Sequence, residues 1–230
     1  AGSIPRPAVV PVMLEGSGRN ENLFVRGSHK NLGEKVPRGY LTAITGGKAQ
    51  PPKGTGRLEL AKLIANSNNP LTARVYANGI WHHLFGRGIV PSTDNFGVLG
   101  EKPSHPELLD WLANRLIEKN WSTKQLIREV MLSQTYRMSS KPTDEAAELK
   151  DPANVLLHRM PVRRLQGEAL RDALLAVSGR LDKKMFGPPV AVHLTAFMEG
   201  RGRPRSGPLD GAGRRTIYQD VRRNFLSPMM

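Results

Sequence analysis

The sequence contains no cysteine, which excludes disulfides, thiolate metal ligands, cysteine nucleophiles and the Cys-x-x-Cys-His attachment of c-type haem within this chain. It has no apolar run near the roughly 20 residues that a membrane-crossing helix needs, so no transmembrane segment is predicted in it. Its start lacks both an initiating Met and a charged-then-apolar leader, and its last run, FLSPMM, is apolar, so a piece of a longer protein is expected. No two histidines stand four apart with Glu beside the first, the spacing of zinc proteases, and no metal site is predicted. Acidic side chains are few: 20 against 34 Lys and Arg, for a formal charge of +14.

What is present is enough for a core, with 39% apolar residues in 230. The positive excess sits at the two ends. Residues 1–56 carry 8 basic and 3 acidic side chains, residues 57–150 carry 12 and 10, and residues 151–230 carry 14 and 7. A nucleic-acid reader concentrates its bases on one face or groove, which the balanced middle does not show, so nucleic acid is disfavoured as a partner.

The first 56 residues are rich in Gly and Pro and read as an extended arm and linker, with strands expected at AVVPVML and NLFVRG. In RGSHKNLGEKVPRGYL, Arg26, His29 and Arg38 could converge at a site, though a surface loop explains them more simply. The segment TGGKAQPPKGTG reads as a flexible linker. From Arg57 the pattern turns helical, and residues 57–180 are expected to form the helical core.

The stretch from Asn69 to Trp111 holds two of the three tryptophans and three of the six histidines. Asn69 and Pro70 read as the cap and first turn of a helix whose buried stripe would be Leu71, Val75, Ile80 with Trp81, and Leu84. Arg74, Asn78 and His82 follow at i, i+4 and i+8 and share one face. That row suits an anion or carbohydrate hydroxyls, or a buried polar network, which is favoured. His82 and His83 point about 100° apart on a helix and do not share a metal. Gly86 or Gly88 would close the helix, with Arg87 between them, and PSTDNFG reads as a turn loop exposing Asp94. Ser104 with Glu107 and Ser122 with Gln125 read as capping boxes for two further helices, the first preceded by His105 and striped by Leu108, Leu109, Leu112 and Leu116 with Trp111.

The polar, acidic stretch after SQTYRMSSKP reads as an exposed excursion, and DPANVLLHRM and RRLQGEALRDALLAVSG as helical. On the last, Arg164 with Glu168 and Glu168 with Arg171 stand at pairing distance, and Glu168 and Asp172 lie one turn apart. A structural charge network of Arg164, Glu168, Arg171 and Asp172 is favoured over acid/base work, because the arginines hold both carboxylates ionised. Residues 181–230 revert to Gly, Pro and Arg and read as a truncated C-terminal arm, with a strand expected in RRTIYQDVRRN.

The succession RGSHKNLGEKVPRG, RLELAKLIA, NPLTARVYANGIWHHLFGRGIV, TDNFGVLGEKPSHPELLDWLA and DPANVLLHRMPVRRLQGEALRDALLAVSGRLD, from about Arg26 to Phe225, resembles one family. It is the C-terminal domain of unknown function in large extracytoplasmic proteins of planctomycetes and related bacteria, many of which carry a cytochrome c module. One departure is Gly79, where the family pattern has Arg after the Asn. The resemblance implies a periplasmic or cell-surface location, other domains of the same polypeptide as partners, and haem c only in those domains, with no cofactor in this chain. It transfers no activity.

The expected fold is mainly α: one helical domain of five to six helices with a small β element from the N- and C-terminal arms. The leading functional expectation is a binding or scaffolding module. The alternative is a hydrolase on acidic or sulfated polysaccharide, with catalytic candidates His29, His82, Asp94 and His105 and binding candidates Arg26, Arg74, Asn78 and Arg87 in the Gly-punctuated stretches that form clefts. Nucleic-acid binding through the basic arms is the third.

Overall fold

The structure is a computed structural model that describes residues 12–47, 54–195 and 205–221. It is mainly α-helical with one small sheet, and it divides into two compact units, residues 1–161 and 162–230.

In the first unit, β1 (Glu21–Phe24) and β2 (Leu32–Val36) pair antiparallel, with Glu21 opposite Val36, Phe24 opposite Leu32 and an irregularity between Asn22 and Phe24. The turn between them is tight because Arg26 and Gly27 both take positive φ, 52° and 75°. Both strands belong to the N-terminal arm, so the sheet is a local hairpin and not a pairing of the two arms. The expected strand at AVVPVML lies largely outside the described residues, as does half of the linker at 45–56. A short α1 (Thr42–Thr45) follows and ends on Gly46 in the left-handed region.

The helical part comprises α2 (Arg57–Ile64), α3 (Thr72–Phe85), α4 (Pro106–Glu118), α5 (Thr123–Leu132) and α6 (Glu145–Lys150). Asn69 is buried, but it does not cap α3 in the expected way. Its Oδ1 accepts the Leu71 N–H at 3.0 Å while its Nδ2 faces the Leu63 and Ile64 carbonyls that end α2, so α3 starts at Thr72. The C-terminal cap of α3 is Gly86, at φ 85°.

The core lies where α3 crosses α4 and α5. Trp81 stacks on Phe85 at 4.2 Å, Tyr136 meets Phe85 edge-on at 5.5 Å, and Leu109, Leu112, Leu116, Leu126 and Val130 complete the cluster. The buried face of α3 is Ala73, Ala77, Asn78, Trp81 and Phe85. Of the stripe expected there, only Trp81 is buried; Leu71 and Val75 are exposed, and Ile80 and Leu84 are half-buried. Two alanines one turn apart explain the change, since they let α4 approach closely and leave the bulkier aliphatic side chains on the other side of the helix. Trp111, expected with the leucine stripe of α4, is likewise exposed.

Neither expected capping box forms. Ser104 donates its N–H to the Ile89 carbonyl at 2.9 Å, His105 takes the N-cap position of α4, and Ser122 at the N-cap of α5 makes no side-chain cap bond. The acidic stretch expected as an excursion instead forms α6, because the Asp144 carboxylate accepts the Ala146 and Ala147 N–H groups. DPANVLLHRM is a run of turns. Asp151 accepts the Val155 and Leu156 N–H groups, and Asn154, at φ 51°, bonds both polar backbone groups of Arg159. Local side-chain bonds outcompete the helix there.

The second unit is built on α7 (Gly167–Val177) and the chain from Arg180 onward. The stretch expected as a strand, residues 214–224, forms a 3-10 turn at Thr216–Tyr218 just after another at Gly211–Gly213, with isolated parallel bridges joining Arg214 to Asp182 and Gln219 to Val190. Residues 222–224 of that stretch lie outside the described residues. Arg171 is fully buried: its Nη1 donates to the Arg214 carbonyl at 2.9 Å and the Thr216 hydroxyl at 2.8 Å, and its Nη2 to the Asp210 carbonyl. Gly211 has φ 65°, and a Cβ there would stand 2.5 Å from Arg171 Nη2, so the guanidinium sits against bare backbone.

Two substitutions test these anchors. Asn78 pairs with both backbone polar groups of Val90 in a buried setting (3.0 and 2.9 Å). Asn78→Ala leaves an N–H and a C=O unpaired there and is expected to lower stability by about 2–4 kcal/mol, read from the urea midpoint. In the second unit, Arg171→Lys keeps the charge but cannot fork to three acceptors. An earlier melting of the signals of residues 167–220 in hydrogen exchange is the expected result.

Candidate functional site

Helix α3 carries three of the polar residues singled out in the sequence, Arg74, Asn78 and His82, and it separates them. Asn78 is buried and spent on Val90. Gly88 makes this possible: a Cβ at 88 would stand 2.4 Å from the Val90 oxygen and 2.8 Å from Asn78 Nδ2. Arg74, one turn earlier, is half-exposed and bonds Asp110 on α4 through Nε at 2.6 Å and the Pro70 carbonyl through Nη1 at 2.6 Å. His82, one turn later, is half-buried, with its Nδ1 enclosed and without a hydrogen-bond partner and its ring edge-on to His83 at 5.5 Å. Arg74 therefore ties α3 to α4 and Asn78 ties it to Val90, while His82 makes neither link, so the three are spent separately.

The remaining candidates are dispersed. Arg26 and His29 lie exposed on the β1–β2 turn. Arg87 is exposed just past the Gly86 cap. Asp94 is exposed in the turn loop, where Asn95 supplies the turn bond to Gly97 and Asp94 itself is 3.4 Å from the Thr93 hydroxyl. His105 has its Nδ1 2.9 Å from Ser104 Oγ at the start of α4. Among the described residues, no group of three or more His, Asp or Glu is placed to hold a metal ion.

In the second unit, Asp172 accepts the Thr216 N–H at 2.8 Å and its hydroxyl at 2.7 Å, and lies 3.4 Å from Arg171 Nη1. Arg164 precedes α7 and is exposed, so the helical pairing with Glu168 does not arise, and Glu168 contributes its backbone carbonyl to Thr216 at 3.4 Å. The network joins α7 to Arg214 and Thr216, partners 43 to 45 residues away that helical spacing cannot reveal.

Two cavities border α3. The smaller, about 320 Å³, is a cleft between α3 and α4 with Arg74, Asp110 and Glu101 on its wall beside Leu71, Val90 and Phe96. The larger, about 660 Å³, is an apolar groove along the outward face of α3 and the adjoining side of α5. Val75, Tyr76, Gly79, Ile80 and Leu84 line it from α3, Thr123 and Ile127 from α5, and the Tyr76 and Thr123 hydroxyls bridge the two helices at 2.9 Å. None of His29, His82, Asp94 and His105 lines either cavity. The groove is the feature that sequence reading missed. Its signal was present as the aliphatic stripe of α3, assigned to the core.

Charge pairing fixes the helices around these cavities. The hydrogen bond from Arg74 holds the Asp110 carboxyl below its ordinary pKa, Arg115 does the same for Glu129, and Arg159 for Glu148. A carboxylate with a depressed folded pKa adds stability that is present above its unfolded pKa and lost as pH falls through the folded one. The stability difference between wild type and Asp110→Asn should therefore be constant from pH 7 to about 5 and shrink as pH falls below about 4, the unfolded Asp value. Thermal melts across that range measure it. The difference itself should be small, since Asp110 is half-exposed.

Comparison with curated proteins and with solved structures returns no match. A family model, by contrast, matches residues 56–230, three quarters of the chain and all of α2 to α7. The chain belongs to the family described as "Protein of unknown function (DUF1553)".

Proposed function

We propose that this domain is a binding or scaffolding module of an extracytoplasmic, haem-associated multi-domain protein, and that it engages its partners through the groove on α3. The observation that carries this reading is the groove itself: about 660 Å³, walled by exposed Leu71 and Val75 and by half-buried Ile80, Leu84 and Ile127. Concave apolar surface of this kind is what a partner segment fills. The extracytoplasmic and haem-associated setting draws on the order of motifs from Arg26 to Phe225, and in this reading haem c resides in other domains of the polypeptide.

A second reading, a hydrolase on acidic or sulfated polysaccharide, draws on the smaller cleft, where Glu101 and Asp110 share a wall with Arg74. Paired carboxylates are the groups that cleave glycosidic bonds. In that reading Asp110, which Arg74 keeps ionised, is the nucleophile or base and Glu101 the acid.

Two variants separate the readings. Val75→Glu places a charge in the groove at an exposed position, and Glu101→Gln with Asp110→Asn neutralises the cleft. The binding reading expects Val75→Glu to abolish co-elution of this chain with the remaining domains expressed separately, with the cleft variant co-eluting normally. Release of reducing ends from a sulfated polysaccharide by the wild-type chain, lost in the cleft variant, would overturn it in favour of the hydrolase.

A further inference from the structure

Gly79 sits in the middle of α3, where a glycine costs about 1 kcal/mol relative to alanine. A Cβ built there meets no atom within 4 Å, so nothing in the described chain requires the missing side chain. The position opens a notch in the floor of the groove, and a notch of this kind lets another backbone approach a helix closely. Exposed Leu71, Val75 and Tyr76 (48%, 39% and 47% accessible) surround it with the spacing of a helix-packing face.

Two cationic side chains stand on α5 beside residues that line the groove. Lys124 and Arg128 are exposed on α5, next in sequence to the groove residues Thr123 and Ile127, and neither has an ion-pair partner among the described residues. The one acid of α5, Glu129, is held by Arg115. A second copy packed face to face through the same groove would bring its own Lys124 and Arg128 toward these, whereas an acidic partner segment is drawn in.

We propose that the groove receives an amphipathic helix of a partner protein, laid with its apolar face over Gly79 and its acidic flank beside Lys124 and Arg128. The proposal rests on the binding reading above and adds the partner's chemistry to it. Anchors at i, i+3, i+4 and i+7 of the incoming helix fill the space between Val75 and Ile127, and the close approach at Gly79 favours a small residue at the crossing.

The probe is a fluorescein-labelled peptide of about 18 residues, five helical turns, with leucine and alanine on one face and glutamate on the other. A counterpart carries lysine in place of glutamate. Titrated with the intact chain and read by fluorescence anisotropy, the acidic peptide is expected to bind about tenfold or more tightly than the basic one and to weaken as salt is raised. Gly79→Leu is expected to remove binding while far-ultraviolet circular dichroism is unchanged. Gly79→Ala, which favours the helix, should weaken binding and raise the melting temperature, and it keeps the test valid if the leucine variant misfolds. Lys124→Glu with Arg128→Glu should reverse the preference between the peptides. Equal binding of the two peptides, no binding of the acidic one, or indifference to both Gly79 variants overturns the proposal. So does self-association in sedimentation that Gly79→Leu abolishes, which would make a second copy the occupant. If any of these occurs while Val75→Glu still abolishes co-elution with the other domains, the partner's chemistry is wrong and the binding reading stands.

Discussion

The bond pair between Asn78 and Val90 is the constraint on which the first unit depends. A buried amide closes on the N–H and C=O of one residue, and so fixes the segment after Gly86 against α3. Ile89 and Val90 are thereby driven into the core, at 2% and 3% accessibility. The Ile89 carbonyl then accepts the N–H and hydroxyl of Ser104, which sets where α4 begins. From there Leu109, Leu112 and Leu116 fall against Ala77, Trp81 and Phe85. Every step is a satisfied buried polar group directing apolar burial, and the gap left by Gly88 is what allows the first.

The helices were legible in the sequence; their orientation was not. Leucine spacing in α4, the Gly86 cap and the helical pattern from Arg57 all acted through local chemistry that a linear pattern records. The face of α3 turned inward was decided by something the pattern undervalues. Ala73 and Ala77 bury little area each, but small side chains permit a close helix crossing, and the chain buries them while leaving Leu71 and Val75 exposed. Hydrophobicity alone therefore pointed to the wrong side. Turn chemistry misled in the same way in DPANVLLHRM, where Asp151 and Asn154 capture backbone groups that a helix would have used.

Of the polar candidates, the residue types were informative and the partners were not. Arg171 and Asp172 stood out as a charge cluster on α7, and helical spacing suggested Glu168 and Arg164 as companions. Burial selects otherwise. A guanidinium with no access to solvent needs acceptors in a planar fork, and the carbonyls of Asp210 and Arg214 with the Thr216 hydroxyl supply them across more than thirty residues of intervening chain. Such partners depend on tertiary closure around Gly211, which nothing near α7 in the sequence announces.

The same opposition between core and surface gives the groove its meaning. α3 has apolar residues on both sides, and the described chain buries the alanine side while Ile80 and Leu84 are only partly covered and Leu71, Val75 and the Gly79 notch are left open. In the proposal above, that open side is a packing face whose neighbour is another polypeptide. The unpaired bases on α5 make that neighbour's charge the more specific part of the expectation, because apolar complementarity alone would accept almost any amphipathic segment.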